Sequence, residues 1–260
     1  MSRFKKQPLS WIFILGSVFF TSVKVIQETS VLAQTFDQDI WKILANKNSD
    51  HNSAPKKENQ APLGNRDSCP YTEKLLTILV PVSPETGSID KERTLYERPT
   101  WYSYVPYSPR PGRQLKFELI DSDENILYIE EFPLKGTPGI VSLKLPENVS
   151  GLVIGQSYRW VISIICASRN QSDSSGNPAV TGWIERVAED GFDPEVISTD
   201  ERSAYLYYLE NLIWFDGLNE LVELQVKYPN DPQLVNAWQQ LAEAVDFDDL
   251  PRSVTAIDTE

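Results

Sequence analysis

One histidine and two cysteines in 260 residues leave little material for metal or nucleophilic chemistry. The histidine, His51, sits in the polar stretch Asn46-Lys-Asn-Ser-Asp-His-Asn-Ser-Ala-Pro55, which has no apolar periodicity to fix it in a site. A Ser-His-Asp or Cys-His apparatus and a His-based metal site are disfavoured on that ground. Cations are scarce as well: 24 Lys and Arg stand against 37 Asp and Glu, a formal charge of -13. Phosphate-driven nucleic-acid binding needs clustered cations, so no nucleic-acid partner is expected. No Gly-rich phosphate loop, Gly-x-Ser-x-Gly elbow or Cys-x-x-Cys pair occurs. Carboxylates are so common that neighbours such as Glu130-Glu131 or Asp248-Asp249 carry no information, and in a strand Glu130 and Glu131 point to opposite faces. These absences predict a protein that is not an enzyme and holds no cofactor or metal.

Long apolar runs are also missing. The longest, Leu9 to Val23, is 15 residues, short of the roughly 20 that span a bilayer. Arg3, Lys5 and Lys6 precede it, and Val31-Leu32-Ala33 supplies small residues where a signal peptidase reads, before Gln34. Residues 1–33 therefore read as a signal peptide cut between Ala33 and Gln34, with an uncleaved anchor as the alternative, since Lys24 and Glu28 lengthen and charge the segment. The expected location is periplasmic or extracellular, with no integral membrane span after cleavage. In an oxidising compartment Cys69 and Cys166 are expected to be bonded; two buried free thiols are the alternative.

What is present is enough for a core: 41% of residues are hydrophobic and 11% aromatic. Residues 34–68 are polar, with Asn, Lys, Ser and Gln and with Pro55, Pro62 and Gly64, and read as a disordered tether in which Ile40-Trp-Lys-Ile-Leu44 is a candidate docking segment. Residues 69–190 carry short apolar runs punctuated by Pro, Gly, Asn and Asp, the pattern of antiparallel strands. Seven are expected: Leu75 to Val82, Thr100 to Tyr107, Leu115 to Asp121, Ile126 to Phe132, Ile140 to Leu145, Tyr158 to Ala167 and Val180 to Arg186. In the sixth, Trp160, Ile162, Ile164 and Cys166 share a face, suggesting a sandwich core packed around a disulfide. The fold class is thus mainly β with α: an antiparallel β-sandwich, immunoglobulin-like in class with its strand order left open, followed by a helical subdomain.

That subdomain, residues 191–250, reads as about three helices. Ser198-Thr-Asp-Glu201 is a capping box opening the first. Trp214, Leu218, Leu221 and Val222 stripe the second, which ends at Tyr228-Pro229; Asp231 caps the third, with Pro232 in its first turn and Leu234, Trp238, Leu241 and Val245 on one side. The second and third resemble a single tetratricopeptide-like hairpin, too little for a repeat array, so its apolar side is expected to rest on the β-domain. Residues 251–260 read as a flexible tail. Residues 187–260 hold three basic and 17 acidic residues, a net of -14; this acidic surface either docks a basic partner or serves solubility.

The strings Leu75-Leu-Thr-Ile-Leu-Val-Pro81, Pro99-Thr-Trp-Tyr-Ser-Tyr-Val-Pro-Tyr107, Tyr158-Arg-Trp-Val-Ile-Ser-Ile-Ile-Cys166, Gly182-Trp-Ile-Glu-Arg186 and Ile213-Trp-Phe-Asp-Gly-Leu218 occur in this order. Over about residues 64 to 245 the chain resembles the cyanobacterial domain-of-unknown-function family numbered 928. The resemblance implies a secreted or envelope protein and transfers no catalytic residue.

Three surfaces merit inspection. Asp121-Ser-Asp-Glu-Asn125 offers acids at the first positions of an EF-hand loop, but Ile126 stands where the glycine is needed and strands flank it. A hairpin turn is the better account. In the strand Trp101-Tyr-Ser-Tyr-Val-Pro-Tyr107, Trp101 and Tyr107 share one face and Tyr102 and Tyr104 the other. Either the C-terminal helices cover the second face, or the rings form a platform for sugars or a partner's apolar groups, with Arg110 and Arg113 of the Arg110-Pro-Gly-Arg113 turn beside it. Trp183, Glu185 and Arg186 read as structural, the Glu-Arg pair tying sandwich to helices. The leading expectation is a non-enzymatic interaction or scaffold module with an envelope protein as partner; the alternative is binding or processing of envelope polysaccharide through residues 101–107.

Overall fold

The computed structural model describes residues 69–82, 89, 91–166, 177–190, 192 and 204–259. The signal segment, the tether and the capping box at Ser198 lie outside the described residues. Among the described residues nine strands and three helices follow in chain order: β1 (Thr77–Ile78), β2 (Lys91–Thr94), β3 (Thr100–Val105), β4 (Gln114–Ile120), β5 (Ile126–Pro133), β6 (Gly139–Lys144), β7 (Ser157–Ile165), β8 (Ala179–Arg186), α1 (Ala204–Glu210), α2 (Trp214–Lys227), α3 (Pro232–Ala244) and β9 (Val254–Ile257). They build a four-stranded sheet in the order β1-β3-β6-β9 and a five-stranded sheet in the order β2-β8-β7-β4-β5.

The two-residue period of the sequence dictates the inner face. Along β7, Tyr158, Trp160, Ile162 and Ile164 are buried while their neighbours are half-buried. On β4, Leu115, Phe117 and Leu119 lie opposite Ile164, Ile162 and Trp160, so the two strands bury one continuous apolar face. Trp160 faces Gly182 of β8 across the ladder. A Cβ on Gly182 would come within 2.4 Å of the indole, so the ring lies over a position only glycine can leave open. The two sheets meet where Trp101 of β3 packs on Phe117 of β4, ring centroids 4.8 Å apart.

The other face of the four-stranded sheet is covered from the C-terminal half. Trp214 of α2 donates its indole N–H to the Leu79 carbonyl at 2.9 Å, and Val82 N–H donates to the Ala244 carbonyl. In α3 the expected cap is present: Asp231 accepts from Gln233 N–H at 2.9 Å, Pro232 opens the helix, and Leu234, Trp238 and Leu241 are buried. One buried cluster includes residues of both sheets and of all three helices, so helices and sandwich share a core. Among the described residues no helix is long and apolar enough to cross a membrane.

Three expectations are corrected. All five pairings among the seven expected strands are antiparallel, but the sheets are mixed, because β2 runs parallel to β8 and β9 parallel to β6. The residues expected as a flexible tail, 251–260, contain β9. Ile257 is buried there, and Thr259 donates its hydroxyl to the Lys144 carbonyl at 2.8 Å. The first strand shrinks from Leu75–Val82 to Thr77–Ile78, although the segment Leu76–Val80 is buried throughout.

Cys69 and Cys166 form a disulfide with Cα atoms 5.2 Å apart, joining the segment before β1 to the end of β7 across 97 positions. A link closing a loop of that length restricts the unfolded chain by about 4 to 5 kcal/mol in the chain-entropy account. We expect the unfolded, unreduced protein to show no free thiol, and Cys69→Ser/Cys166→Ser to lose most of that stability in equilibrium denaturation. A denaturation midpoint indifferent to reduction would refute the role.

Candidate functional site

The aromatic strand was the most suggestive surface in the sequence, and its rings lie inside. Trp101, Tyr102, Tyr104 and Tyr107 are at most 7% exposed. On the sandwich side, Trp101 is caught between Phe117 and Phe215. On the helical side, Tyr102 donates its hydroxyl to Asn219 Oδ1 of α2 at 2.8 Å, and Tyr104 packs on Phe247 with ring centroids 4.6 Å apart. The candidate binding surface of Trp101, Tyr102, Tyr104 and Tyr107 is therefore core, and no open platform for sugar exists there. The physical reason is already in the pattern: a strand apolar on both faces must be covered on both.

The neighbouring turn is built as its Pro-Gly sequence requires. Gly112 adopts φ 75°, and Arg113 N–H closes the turn onto the Arg110 carbonyl at 3.0 Å. Arg113 folds back over the Tyr107 ring, 5.5 Å from its centroid, and donates to the Ser108 carbonyl at 2.9 Å. Burial and the nearby Arg110 lower its pKa. Arg110 is exposed beside it.

The Asp121–Asn125 segment is the hairpin turn between β4 and β5. The Asp121 carboxylate accepts from the backbone N–H groups of Asp123 and Asn125 and from the Asn125 side chain. Those hydrogen bonds, led by the Asn125 side chain, hold its pKa below the usual carboxylate range. Glu124 takes φ 64°. Among the described residues, no three His, Cys, Asp or Glu side chains converge as a metal site. On β8 the expected Glu185–Arg186 pair is replaced by two others. Glu185 pairs with Lys91 of β2, while Arg186 donates to the carbonyls of Leu95 and Leu152. Neighbours in a strand face opposite ways, which separates them.

The most deeply buried carboxylate among the described residues is one that the string Ile213-Trp-Phe-Asp-Gly-Leu218 contains but that the sequence does not mark as a site. Asp216, in the first turn of α2, is 1% exposed. Its Oδ1 accepts the Thr94 hydroxyl at 2.6 Å and its Oδ2 accepts Leu95 N–H at 2.7 Å, both at the end of β2. Burial raises its pKa to about 6 against the lowering effect of those two donors. Around it, the hydroxyls of Tyr96 and Tyr208 lie 3.4 Å apart. Burial, with help from the nearby carboxylates of Asp216 and Glu220, raises the pKa of both phenols. The available signal was an acid embedded in the apolar string Ile213–Leu218: a carboxyl forced inside by its neighbours must find donors there.

Fold and site together define a helix-covered, disulfide-closed β-sandwich whose notable polar groups brace the core. Residues 61–254 match the family Domain of Unknown Function (DUF928), and the chain belongs to that family. The match takes in the five strings and also Phe247-Asp-Asp-Leu250, which packs on β3 through Phe247. No curated protein matches the sequence.

Two outcomes follow. The folded chain holds the Asp216 proton more tightly than the unfolded chain, whose carboxyl titrates near 3.9. Its contribution to stability is therefore full below about pH 4 and falls as pH rises to about 6, by up to about 3 kcal/mol for a shift of this size. Asp216→Asn should flatten that part of the stability-pH curve, read by denaturant titration; an unchanged slope would contradict the assignment. Tyr102→Phe removes one hydrogen bond and should cost about 1 kcal/mol, whereas Tyr104→Ala should cost about 3 to 5 kcal/mol as a core deletion.

Proposed function

We propose that this DUF928 member is a non-enzymatic interaction or scaffold module of the cell envelope. In this reading residues 1–33 export the chain, cleavage between Ala33 and Gln34 releases it, and the tether 34–68 precedes the folded module. One observation carries the reading: the strings that carry the resemblance to the family converge on structural contacts. Trp160 lies on Gly182, Cys166 is bonded to Cys69, Trp214 reaches Leu79 and Tyr102 reaches α2. Side chains engaged in holding elements together leave the outer surface as the working part. The disulfide supports an oxidising compartment, where such bonds persist. The polysaccharide alternative loses its support with the burial of Tyr102 and Tyr104.

The test is affinity capture from envelope extract with tagged mature protein, residues 34–260, with both proteins and glycans analysed. A stoichiometric protein partner is the expected result. Glycan retained without protein would overturn it in favour of carbohydrate recognition. N-terminal sequencing of the natural protein is expected to begin at Gln34; a chain retaining Met1 in the membrane fraction would mean an anchor.

A further inference from the structure

Sheet edges are where a β protein is open to other chains, because each edge strand presents a row of unpaired backbone groups. Here the four edges differ. In the four-stranded sheet, β1 is two buried residues and β9 four. In the five-stranded sheet, β2 is four residues long and α2 packs against it. The remaining edge, β5, has eight residues, and no described strand pairs with its outer side. Its side chains are unusually apolar for such a place. Ile126, Leu127 and Ile129 are 55%, 37% and 49% exposed.

Register fixes which way they point. Phe132, Glu130 and Tyr128 lie opposite the buried Leu115, Phe117 and Leu119 of β4, so Ile129 and Glu131 occupy the outer face. The pairing slips between Leu119 and Ile120, and Pro133 ends the strand, leaving Tyr128–Phe132 as the regular docking stretch. Glu130 is held by the Tyr128 hydroxyl. Lys116 of β4, which lies opposite Glu131, pairs with Glu118 instead. Glu131 makes no ion pair with a described residue.

Charge decides the occupant. Residues 121–133 contain five acids and no base. Two copies joined along β5 would bring both acidic sets together, and like charges directly opposite one another destabilise a strand pair. A partner strand carrying apolar and basic side chains two residues apart on one face meets both features, its apolar group beside Ile129 and its cation beside Glu131, which themselves share the outer face of β5. Resting on the interaction-module reading, we propose that β5 is a docking edge that accepts an extended basic strand of a partner protein.

The probe is a capped, labelled Thr-Val-Thr-Lys-Thr-Val-Thr peptide, whose valines and lysine share one face, added to the mature protein, with a Glu-for-Lys peptide as control. Binding is read by anisotropy, and backbone pairing by amide hydrogen exchange. The expected results are at least tenfold tighter binding of the lysine peptide, at least tenfold slower exchange across Tyr128–Phe132, and loss of the lysine preference in Glu131→Lys. Both Glu131 and Ile129 are surface groups, so Glu131→Lys and Ile129→Asp leave the fold intact, checked by unchanged melting. No binding at millimolar peptide, unslowed amides, or a preference unmoved by Glu131→Lys would overturn the proposal. So would a mature protein that sediments as a dimer dissolved by Ile129→Asp. In the envelope capture, a partner still held by Ile129→Asp overturns the docking edge while leaving the module reading in place; its loss supports the edge.

Discussion

The helical side of the molecule hangs on one short segment, Ile213–Leu218, where α2 begins. Trp214 hydrogen-bonds the backbone after β1, Phe215 packs on Trp101 of β3, and Asp216 grips the end of β2. At Gly217 a Cβ would come within 2.7 Å of Leu209, so α1 lies against it too closely for any side chain. Four successive residues thus bind four different elements. Buried carboxyls are costly unless donors meet them, and two donors from one strand end make this one a specific latch between α2 and the edge of the five-stranded sheet.

That latch also explains why helices and sheets share a core. An amphipathic hairpin such as α2–α3 has an apolar stripe to hide, and β3 has an aromatic second face to hide; each is the other's cover. Tyr104 against Phe247 and Trp238 N–H on the Leu250 carbonyl extend the cover past the end of α3.

Seven strands and the two long described helices were legible because their burial follows period 2 or the 3.6-residue turn. The elements that escaped have no such signature. β2 reads Lys-Glu-Arg-Thr, and it is a strand through backbone pairing with β8 and the ion pair of Lys91 with Glu185, with Thr94 turned in to Asp216. β9 reads Val-Thr-Ala-Ile within a polar stretch. Both are edge strands that pair parallel, a relation between residues far apart in sequence that no local pattern records. The same reason hid the site. Arg110 and Arg113 were visible as cations, but that Arg113 folds over Tyr107 depends on tertiary placement. Asp216 was visible as an oddity, and only the position of β2 gives it a purpose.

β9 is the last strand in chain order, yet it completes a sheet whose other members all precede residue 145. Gly136, at φ 65°, stands so close to Thr255 that a Cβ there would lie 2.1 Å from its hydroxyl oxygen. The loop entering β6 is thus shaped to receive a segment that emerges more than a hundred residues later. Until then β6 carries an open edge, and closing so long a loop is slow. During folding the four-stranded sheet therefore passes through an unfinished form, and the last of its strands to be made is the one that closes it.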